Sequence, residues 1–227
     1  VSGGRVSGGR GAWRPGCRAA GVSGGRVSLS RMPDVRDLLA RYRPGDPAEA
    51  ADLDRTLAMT RAAADPWRRD IPLHVTASAL IVHPAVHPVE PGGGRVLLRW
   101  HQRQQAWLQV GGHGDPGESD PLAIALREAR EETGLADLVP WPDARLRHLV
   151  IVSVPANAVE PAHEHADLRF ILATRSPDAA RPERPDAPLR WLSFPEAREL
   201  TGEDNLRETL ARAERLTAAG QGATPAQ

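Results

Sequence analysis

A strand, a glycine-rich acidic loop and a helix follow one another without interruption in "AWLQVGGHGDPGESDPLAIALREAREETGL", residues 106–135. Asp120 is a residue type that caps helix N-termini, and Pro121 suits the first helical position. Gly134 is the residue type expected just past a helix C-terminus. Local chemistry therefore predicts a helix between Asp120 and Gly134, entered from a short, tightly bent loop.

This helix carries three carboxylates on one side. Glu128, Glu131 and Glu132 are spaced i, i+3, i+4, so they fall within an arc of roughly 100°. Like charges at this spacing destabilise an isolated helix by about 0.2–0.5 kcal/mol per pair. Two interpretations stand at this point: Arg127 and Arg130 neutralise a solvated face, or the carboxylates gather around a cation.

The loop before the helix favours the cation. Gly111 and Gly112 let the backbone bend tightly and leave room for a bulky anionic ligand, and Asp115 and Glu118 add carboxylates. Mg²⁺ takes oxygen ligands and shares its shell with substrate phosphates. Such ions can bridge a pyrophosphate, neutralise developing charge and lower the pKa of a bound water. The segment therefore predicts a divalent-metal site for phosphate chemistry.

Residues 111–135 resemble the Nudix box, whose pattern is G-x5-E-x7-R-E-U-x-E-E-x-G-U, where U is aliphatic. The matching residues of its second half are Arg127, Glu128, Ala129, Glu131, Glu132, Gly134 and Leu135. In the first half, Gly112 and Glu118 keep the five-residue spacing. Eight residues rather than seven separate Glu118 from Arg127, so the box is one residue longer than the common pattern. Ser119 stands where strict spacing places the glutamate, which leaves the role of Glu118 open.

The resemblance, from about His74 to Leu216, implies a Nudix fold of the mixed α/β class, an α/β/α sandwich around a mixed β-sheet. It implies that Glu128, Glu131 and Glu132 bind Mg²⁺ or Mn²⁺, with the Gly111 carbonyl as a further ligand. Glu131 and Glu132 would be catalytic, and Arg127 would hold the glutamates by ion pairing. The implied reaction is hydrolysis of the pyrophosphate linkage in a nucleoside diphosphate joined to another group.

Two alternatives to this function come from different classes. One is a Nudix-like domain that senses a nucleotide or nucleotide sugar without cleaving it, although the intact glutamate triad argues against it. The other is a metal-dependent enzyme on the same fold with different chemistry, such as an isomerase of diphosphate lipids. No paired cysteine and glutamate supports the isomerase, since Cys17 is the single cysteine and lies in the N-terminal segment.

Polar residues outside the box are candidates for the same site. "EPAHEHADLRF", residues 160–170, places Glu164 between two histidines just before a strand, and we expect Glu164 to be a further ligand or general base. His163 and His165 could also ligate a transition metal, or the segment is a polar loop over the sheet edge. His113 and Arg103 are candidates for contact with substrate phosphate. Three tryptophans are either core residues or a stacking wall for a base: Trp100, Trp107 and Trp191.

The periodicity of apolar residues and the positions of Gly and Pro divide the chain into four segments. We expect a disordered Gly/Ser/Arg tail over 1–31, a helical extension over 32–69, a Nudix domain over 70–217 and a flexible C-terminus over 218–227. The predicted strands are 75–82, 95–100, 106–110, 146–154, 167–174 and 188–194. Besides the helix at 121–133, helices are predicted at 35–42, 47–64 and 204–216.

The amino-acid composition limits the classes of partner that we expect this chain to bind. The chain has 29 basic and 29 acidic residues in 227, so no charge excess favours a nucleic-acid or membrane partner. The single cysteine excludes an internal disulfide and a cysteine zinc cluster. We therefore expect a cytoplasmic enzyme with a small-molecule nucleoside-diphosphate substrate, compatible with a homodimer.

Overall fold

The computed structural model describes residues 34–84 and 94–221, which contain five α-helices and eight strands. The helices are α1 (Val35–Arg41), α2 (Pro47–Ala62), α3 (Pro121–Thr133), α4 (Phe194–Leu200) and α5 (Asp204–Gln221). The strands are β1 (Leu73–His83), β2 (Arg95–His101), β3 (Ala106–Leu108), β4 (Val110–Gly112), β5 (Val139–Pro140), β6 (His148–Val154), β7 (His163–Ala173) and β8 (Leu189–Ser193). The expected tail over 1–31, with Cys17, lies outside the described residues.

One mixed sheet organises the fold. Its strands follow the order β3-β2-β1-β7-β5, with β4 paired to β1, β6 to β7 and β8 to β2. The two long central strands, β1 and β7, run parallel over ten residue pairs from Leu73↔Glu164 to Val82↔Ala173. The other pairings are antiparallel.

Helices cover both faces of this sheet. Alternate residues of a strand point to opposite faces, and on β1 Ala79 and Ile81 pack with the buried residues of α1, α2 and α3. Leu80 and Val82 pack instead with the buried residues of α4 and α5. The predicted α/β/α sandwich around a mixed sheet is therefore confirmed.

Several element boundaries differ from the expectation, each for a local reason. The strand expected over 106–110 divides at Gln109, because β3 pairs with β2 whereas β4 pairs with β1. Strand β7 begins at His163 instead of 167, because its pairing with β1 extends through the segment that the sequence left open as a loop. Helix α5 continues to Gln221, into the C-terminus expected to be flexible, since Ala218 and Ala219 favour helix.

Helix α4 was not predicted, although the sequence carries its signal. Ser193 caps the helix, and Glu196 reaches back to the Ser193 backbone N–H to complete a capping box. The pattern Ser-x-x-Glu with proline at the first turn is a sequence signature of a helix start.

None of the helices in the described ranges is long and apolar enough to span a bilayer.

A buried carboxylate ties the N-terminal helices to the sandwich. Glu49 of α2 is 2% exposed and accepts hydrogen bonds from the Tyr42 hydroxyl, the Gly45 N–H (2.5 Å) and the Leu149 N–H (2.9 Å). Arg212 of α5 donates to the same carboxylate at 2.9 Å. Burial by itself raises the pKa of Glu49, but these hydrogen bonds and the Arg212 charge outweigh it and lower the pKa overall.

We predict that Glu49→Gln lowers the free energy of unfolding at pH 7 by about 3 kcal/mol, because Arg212 stays buried and loses its buried charge partner. Among the described residues, it keeps only the more exposed carboxylates of Glu208 and Asp46. The folded-state pKa of Glu49 is lowered, so its stabilisation is present above the unfolded pKa of about 4.3 and is lost as pH falls below it. Urea unfolding at pH 7 and under acid conditions measures both effects.

The matched control is Glu214→Gln, which removes the carboxylate of the partly exposed Arg198–Glu214 pair. Such a pair contributes less than about 1 kcal/mol. Equal losses of stability in the two variants, or a Glu49→Gln effect that does not shrink in acid, would contradict the role of Glu49.

Candidate active site

Helix α3 begins and ends where its capping residues predict. The Asp120 carboxylate accepts a hydrogen bond from the Leu122 N–H at 3.0 Å, and Gly134 ends the helix with φ 67°. Ile124, Ala125 and Ala129 of α3 are fully buried against the sheet. The glutamates are thereby carried alongside β4.

The two glycines of β4 allow close approaches to different neighbours, Gly112 to α3 and Gly111 to β1. A Cβ on Gly112 would lie 2.7 Å from the carboxyl carbon of Glu128, so any larger residue there would push this carboxylate out of its place. The Gly111 N–H donates to Glu132 Oε2 at 3.1 Å. Gly111 also has φ 149° and would place a Cβ 2.4 Å from the Ser78 Cβ. Both carboxylates therefore rest directly on the backbone of β4.

Arg127 links the loop to the glutamates. Its guanidinium donates to Glu118 at 2.8 Å, to Glu128 at 2.9 Å and to Glu131 at 3.1 Å. A fourth hydrogen bond of 3.0 Å goes to the His113 carbonyl oxygen. Arg127 therefore holds the loop before α3 and two of the three helical carboxylates in one arrangement.

Glu118 reaches Arg127 despite the extra residue between them. Its carboxylate accepts hydrogen bonds from both Nε and Nη2 of Arg127 and one from the Asp115 N–H at 2.8 Å. The bonds from Arg127 lower the pKa of Glu118. The additional residue is taken up before the helix, so Glu118 acts here as the ion-pair partner of Arg127.

The three helical glutamates have different surroundings. The Glu132 side chain is 13% exposed, and burial raises its pKa to about 7 although Arg99 lies 3.2 Å away and lowers it. Burial also raises the pKa of Glu128, with Arg127 offsetting part of the effect. Glu131 is half-exposed. These carboxylates lie together and are partly buried, and the arginines offset only part of the cost of burying their charge. Such a set of oxygen donors suits a divalent cation, which would stabilise the ionised carboxylates.

Arg99 is a residue of this site that the sequence analysis missed. It lies on β2, is 8% exposed, and its Nε has no hydrogen-bond partner within the described part of the chain. The available signal was an arginine inside the apolar strand "RVLLRW", since a buried arginine requires an acidic partner. That partner is Glu132, which comes from a different element and cannot be read from the strand pattern.

A pocket of about 200 Å³ opens on the other side of the two glycines. Gly111, Gly112 and His113 line it, together with residues of β1, β6 and β7. The Asp167 carboxylate lines this pocket. It accepts four hydrogen bonds, from Thr76 (3.1 Å), Ser78 (2.9 Å), Gln109 (3.2 Å) and Arg169 (2.8 Å). A ligand in this pocket would lie within reach of the backbone that supports the carboxylates.

The remaining site candidates from the sequence, His113, Arg103 and Glu164, do not all lie at the pocket. His113 and Arg103 line the pocket, and Arg103 forms a 2.8 Å ion pair with Glu160. Glu164, in contrast, does not face the pocket: it pairs with Arg55 of α2 at 2.6 Å. Alternate residues of β7 point to opposite faces, so Glu164 lies on the face opposite to His165, and its expected role as a ligand or base stays a prediction.

The three tryptophans, for which core packing and a stacking wall stood as alternatives, are absent from the pocket lining. Trp100 and Trp107 contact each other edge to face, with ring centroids 5.7 Å apart. Trp191 donates to the Pro177 carbonyl oxygen at 3.0 Å. Within the described residues these side chains stabilise the region of β2, β3 and β8 and do not line the pocket.

Four histidines adjoin the pocket: His74, His113, His163 and His165. Their ring centroids lie 4.8–5.4 Å apart in five pairings. Burial lowers the pKa of His113 to about 3 and that of His165 to about 4, so both are neutral at physiological pH. The sequence pattern showed His163 and His165 together, but it could not show that the fold adds His74 and His113.

Residues 82–213, more than half of the chain, match the family described as NUDIX domain. A solved structure of a C. elegans Ap4A hydrolase complex has 18% identity and a TM-score of 0.51, covering 64% of this chain and 98% of its own. A NUDIX-family hydrolase from Clostridium perfringens has 23% identity and a TM-score of 0.46, covering 64% and 97%. None of the curated proteins matches the sequence.

The fold is an α/β/α sandwich with a helix that carries a cluster of carboxylates, and the domain match identifies its family. The chain belongs to the NUDIX family of hydrolases, which act on pyrophosphate bonds. The predicted family and enzyme class are thereby confirmed.

We predict that Gly111→Ala lowers the free energy of unfolding by about 2 kcal/mol or more, because the added Cβ meets the backbone of β1 at a strained φ. Gly202→Ala is the control, since a Cβ there meets nothing within 4 Å and should change stability by less than about 0.5 kcal/mol. Chemical denaturation of both variants checks this. Equal stability of Gly111→Ala and wild type would show that β4 does not need this close approach.

Proposed function

We propose that this chain is a Mg²⁺- or Mn²⁺-dependent pyrophosphohydrolase that cleaves a nucleoside diphosphate joined to another group. The observation that carries the proposal is the gathering of three glutamates next to a double glycine that also lines a pocket. Arg127 binds two of them, Glu128 and Glu131. A carboxylate cluster without a cation would repel itself, whereas an oxygen-donor set of this kind suits a hard divalent ion.

Glu128, Glu131 and Glu132 would hold the metal, with the Gly111 carbonyl oxygen as a further donor. When bound, the ion supplies charge neutralisation on phosphate oxygens and lowers the pKa of a water. The protein's own contribution is positioning. Arg127 orients Glu128 and Glu131, and the Gly111 N–H together with Arg99 orients Glu132.

In this proposal the buried Arg99–Glu132 pair orients the Glu132 carboxylate for metal binding. Arg99 lies 3.2 Å from Glu132 Oε1, and the Gly111 N–H binds the other oxygen, Oε2. Both carboxylate oxygens are therefore fixed before any ligand enters. A fixed carboxylate in a dry site stabilises charge without the cost of reorganisation.

The pocket would receive the remainder of the substrate. Gln109 Nε2 must face Asp167, because a carboxylate accepts only from a donor, and this leaves Gln109 Oε1 without a partner among the described residues. Oε1 would accept a hydrogen bond from a substrate N–H or O–H. Arg103, at the same pocket, would contact a phosphate.

The test of the proposed reaction is a screen with Mg²⁺ over nucleotide sugars, ADP-ribose, dinucleoside polyphosphates and oxidised nucleotides. We expect release of two phosphate-containing products from at least one class. Glu131→Gln and Glu132→Gln should each lower kcat by about 100-fold or more, because each removes a charged ligand.

Glu199→Gln is the control for these variants, since Glu199 is exposed on α4, away from the site. Wild-type turnover in both Glu131→Gln and Glu132→Gln would rule out the metal assignment. Nucleotide binding by the wild type without any product would favour a sensing domain over an enzyme.

For the substrate found in this screen, we predict that Gln109→Leu raises KM by about fivefold with little change in kcat. One hydrogen bond in a buried site contributes roughly 1 kcal/mol, and it would be lost equally in the bound substrate and the transition state. Gln102→Leu, outside the pocket, is the control. A fall in kcat at unchanged KM would contradict a purely binding role for Gln109.

A further inference from the structure

The histidine cluster lies apart from the carboxylates and is not needed by the proposed hydrolysis. His74 on β1 and His165 on β7 are direct partners in the parallel register. His113 follows β4, which is antiparallel to β1 on its other side. The topology therefore brings one histidine from each of three neighbouring strand segments to one point.

The ligand atoms of His74, His113 and His165 all lie within 4.8 Å of one another. Tetrahedral coordination at about 2.0–2.1 Å from each nitrogen separates the nitrogens by about 3.3 Å. The Nε2 atoms of His74 and His113 are already 3.1 Å apart. A small contraction around one ion would satisfy all three rings.

Backbone carbonyls orient two of the rings. His74 Nδ1 lies 2.9 Å from the Ile71 carbonyl oxygen, and His163 Nδ1 lies 2.9 Å from that of Pro161. A carbonyl oxygen only accepts, so each Nδ1 carries the proton and each Nε2 offers a lone pair. Metal-binding histidines are typically fixed in this way by a hydrogen bond from the other ring nitrogen.

We propose that His74, His113 and His165 form a second metal site, for a zinc-class transition ion, with its fourth coordination position open to the pocket. Imidazole nitrogens suit Zn²⁺, Co²⁺ or Ni²⁺, whereas the carboxylates of α3 suit Mg²⁺ or Mn²⁺. The two sites therefore select different ions.

The direction of the open position follows from burial. His113 and His165 line the pocket, whereas His74 is 1% exposed and lies behind them. Three protein ligands leave one position for a water or an anion. His163, with Nε2 3.1 Å from that of His165, orients His165 and is not itself one of the ligands.

The test uses the full chain without an affinity tag, freed of metal by EDTA and then kept in excess Mg²⁺ to occupy the carboxylates. Co²⁺ is added, and the visible spectrum is recorded. We expect one Co²⁺ per chain with the band of tetrahedral coordination, displaced by Zn²⁺. Azide, a small anion that can enter the pocket, should shift this band because one position is open.

His113→Gln and His165→Gln should weaken Co²⁺ binding by about 100-fold or more. His83→Gln, on β1 but bound to Thr174 instead, and Glu131→Gln should keep the band. His163→Gln should also keep it. Thermal unfolding of each variant confirms that the fold is retained, and for the wild type Zn²⁺ should raise Tm.

Three outcomes would overturn the proposal. One is the absence of stoichiometric Co²⁺ or Zn²⁺ binding in the wild type. Another is binding that survives in His113→Gln and His165→Gln but disappears in Glu131→Gln. The last is a band insensitive to azide and lost in His163→Gln, which would indicate a closed four-histidine site. Because no substrate is used, these results are independent of whether pyrophosphate hydrolysis is found.

Discussion

The contact between α3 and the backbone of β4 is the constraint on which the rest of the site depends. Gly112 leaves the space that the Glu128 carboxylate of α3 occupies, and Gly111 lets β4 lie close to Ser78 of β1. The contact between α3 and β4 also gives Glu132 its hydrogen bond from the Gly111 N–H.

What the sequence could predict follows from how local each signal is. The ends of α3 depend on Asp120, Pro121 and Gly134, which act within one helical turn, and the structure has them as expected. The alternation of apolar residues on β1 likewise needs no distant information. The mixed sheet and its two helical layers follow from these local patterns together with the Nudix resemblance.

The parts that the sequence could not predict depend on register between distant strands. Glu164 and His165 are neighbours, and only the pairing of β7 with β1 decides which of them faces the pocket. The pairing of Arg99 with Glu132 and the meeting of His74 with His113 likewise join residues more than 30 positions apart. One residue of slip would exchange the two faces of β7, so no local pattern could have resolved this.

The extra residue before α3 shows which part of a motif is constrained by physics. The positions within the helix are fixed to each other by its pitch, so Arg127, Glu128 and Glu131 cannot change spacing without changing face. Glu118 lies in the loop, where an ion pair needs reach and not a fixed count of residues. Its bidentate contact with Arg127 survives the insertion, because the loop absorbs the added length. In such a motif the spacing of the helical residues should therefore match strictly. For the loop residues, the useful criterion is whether the charged side chains can reach each other.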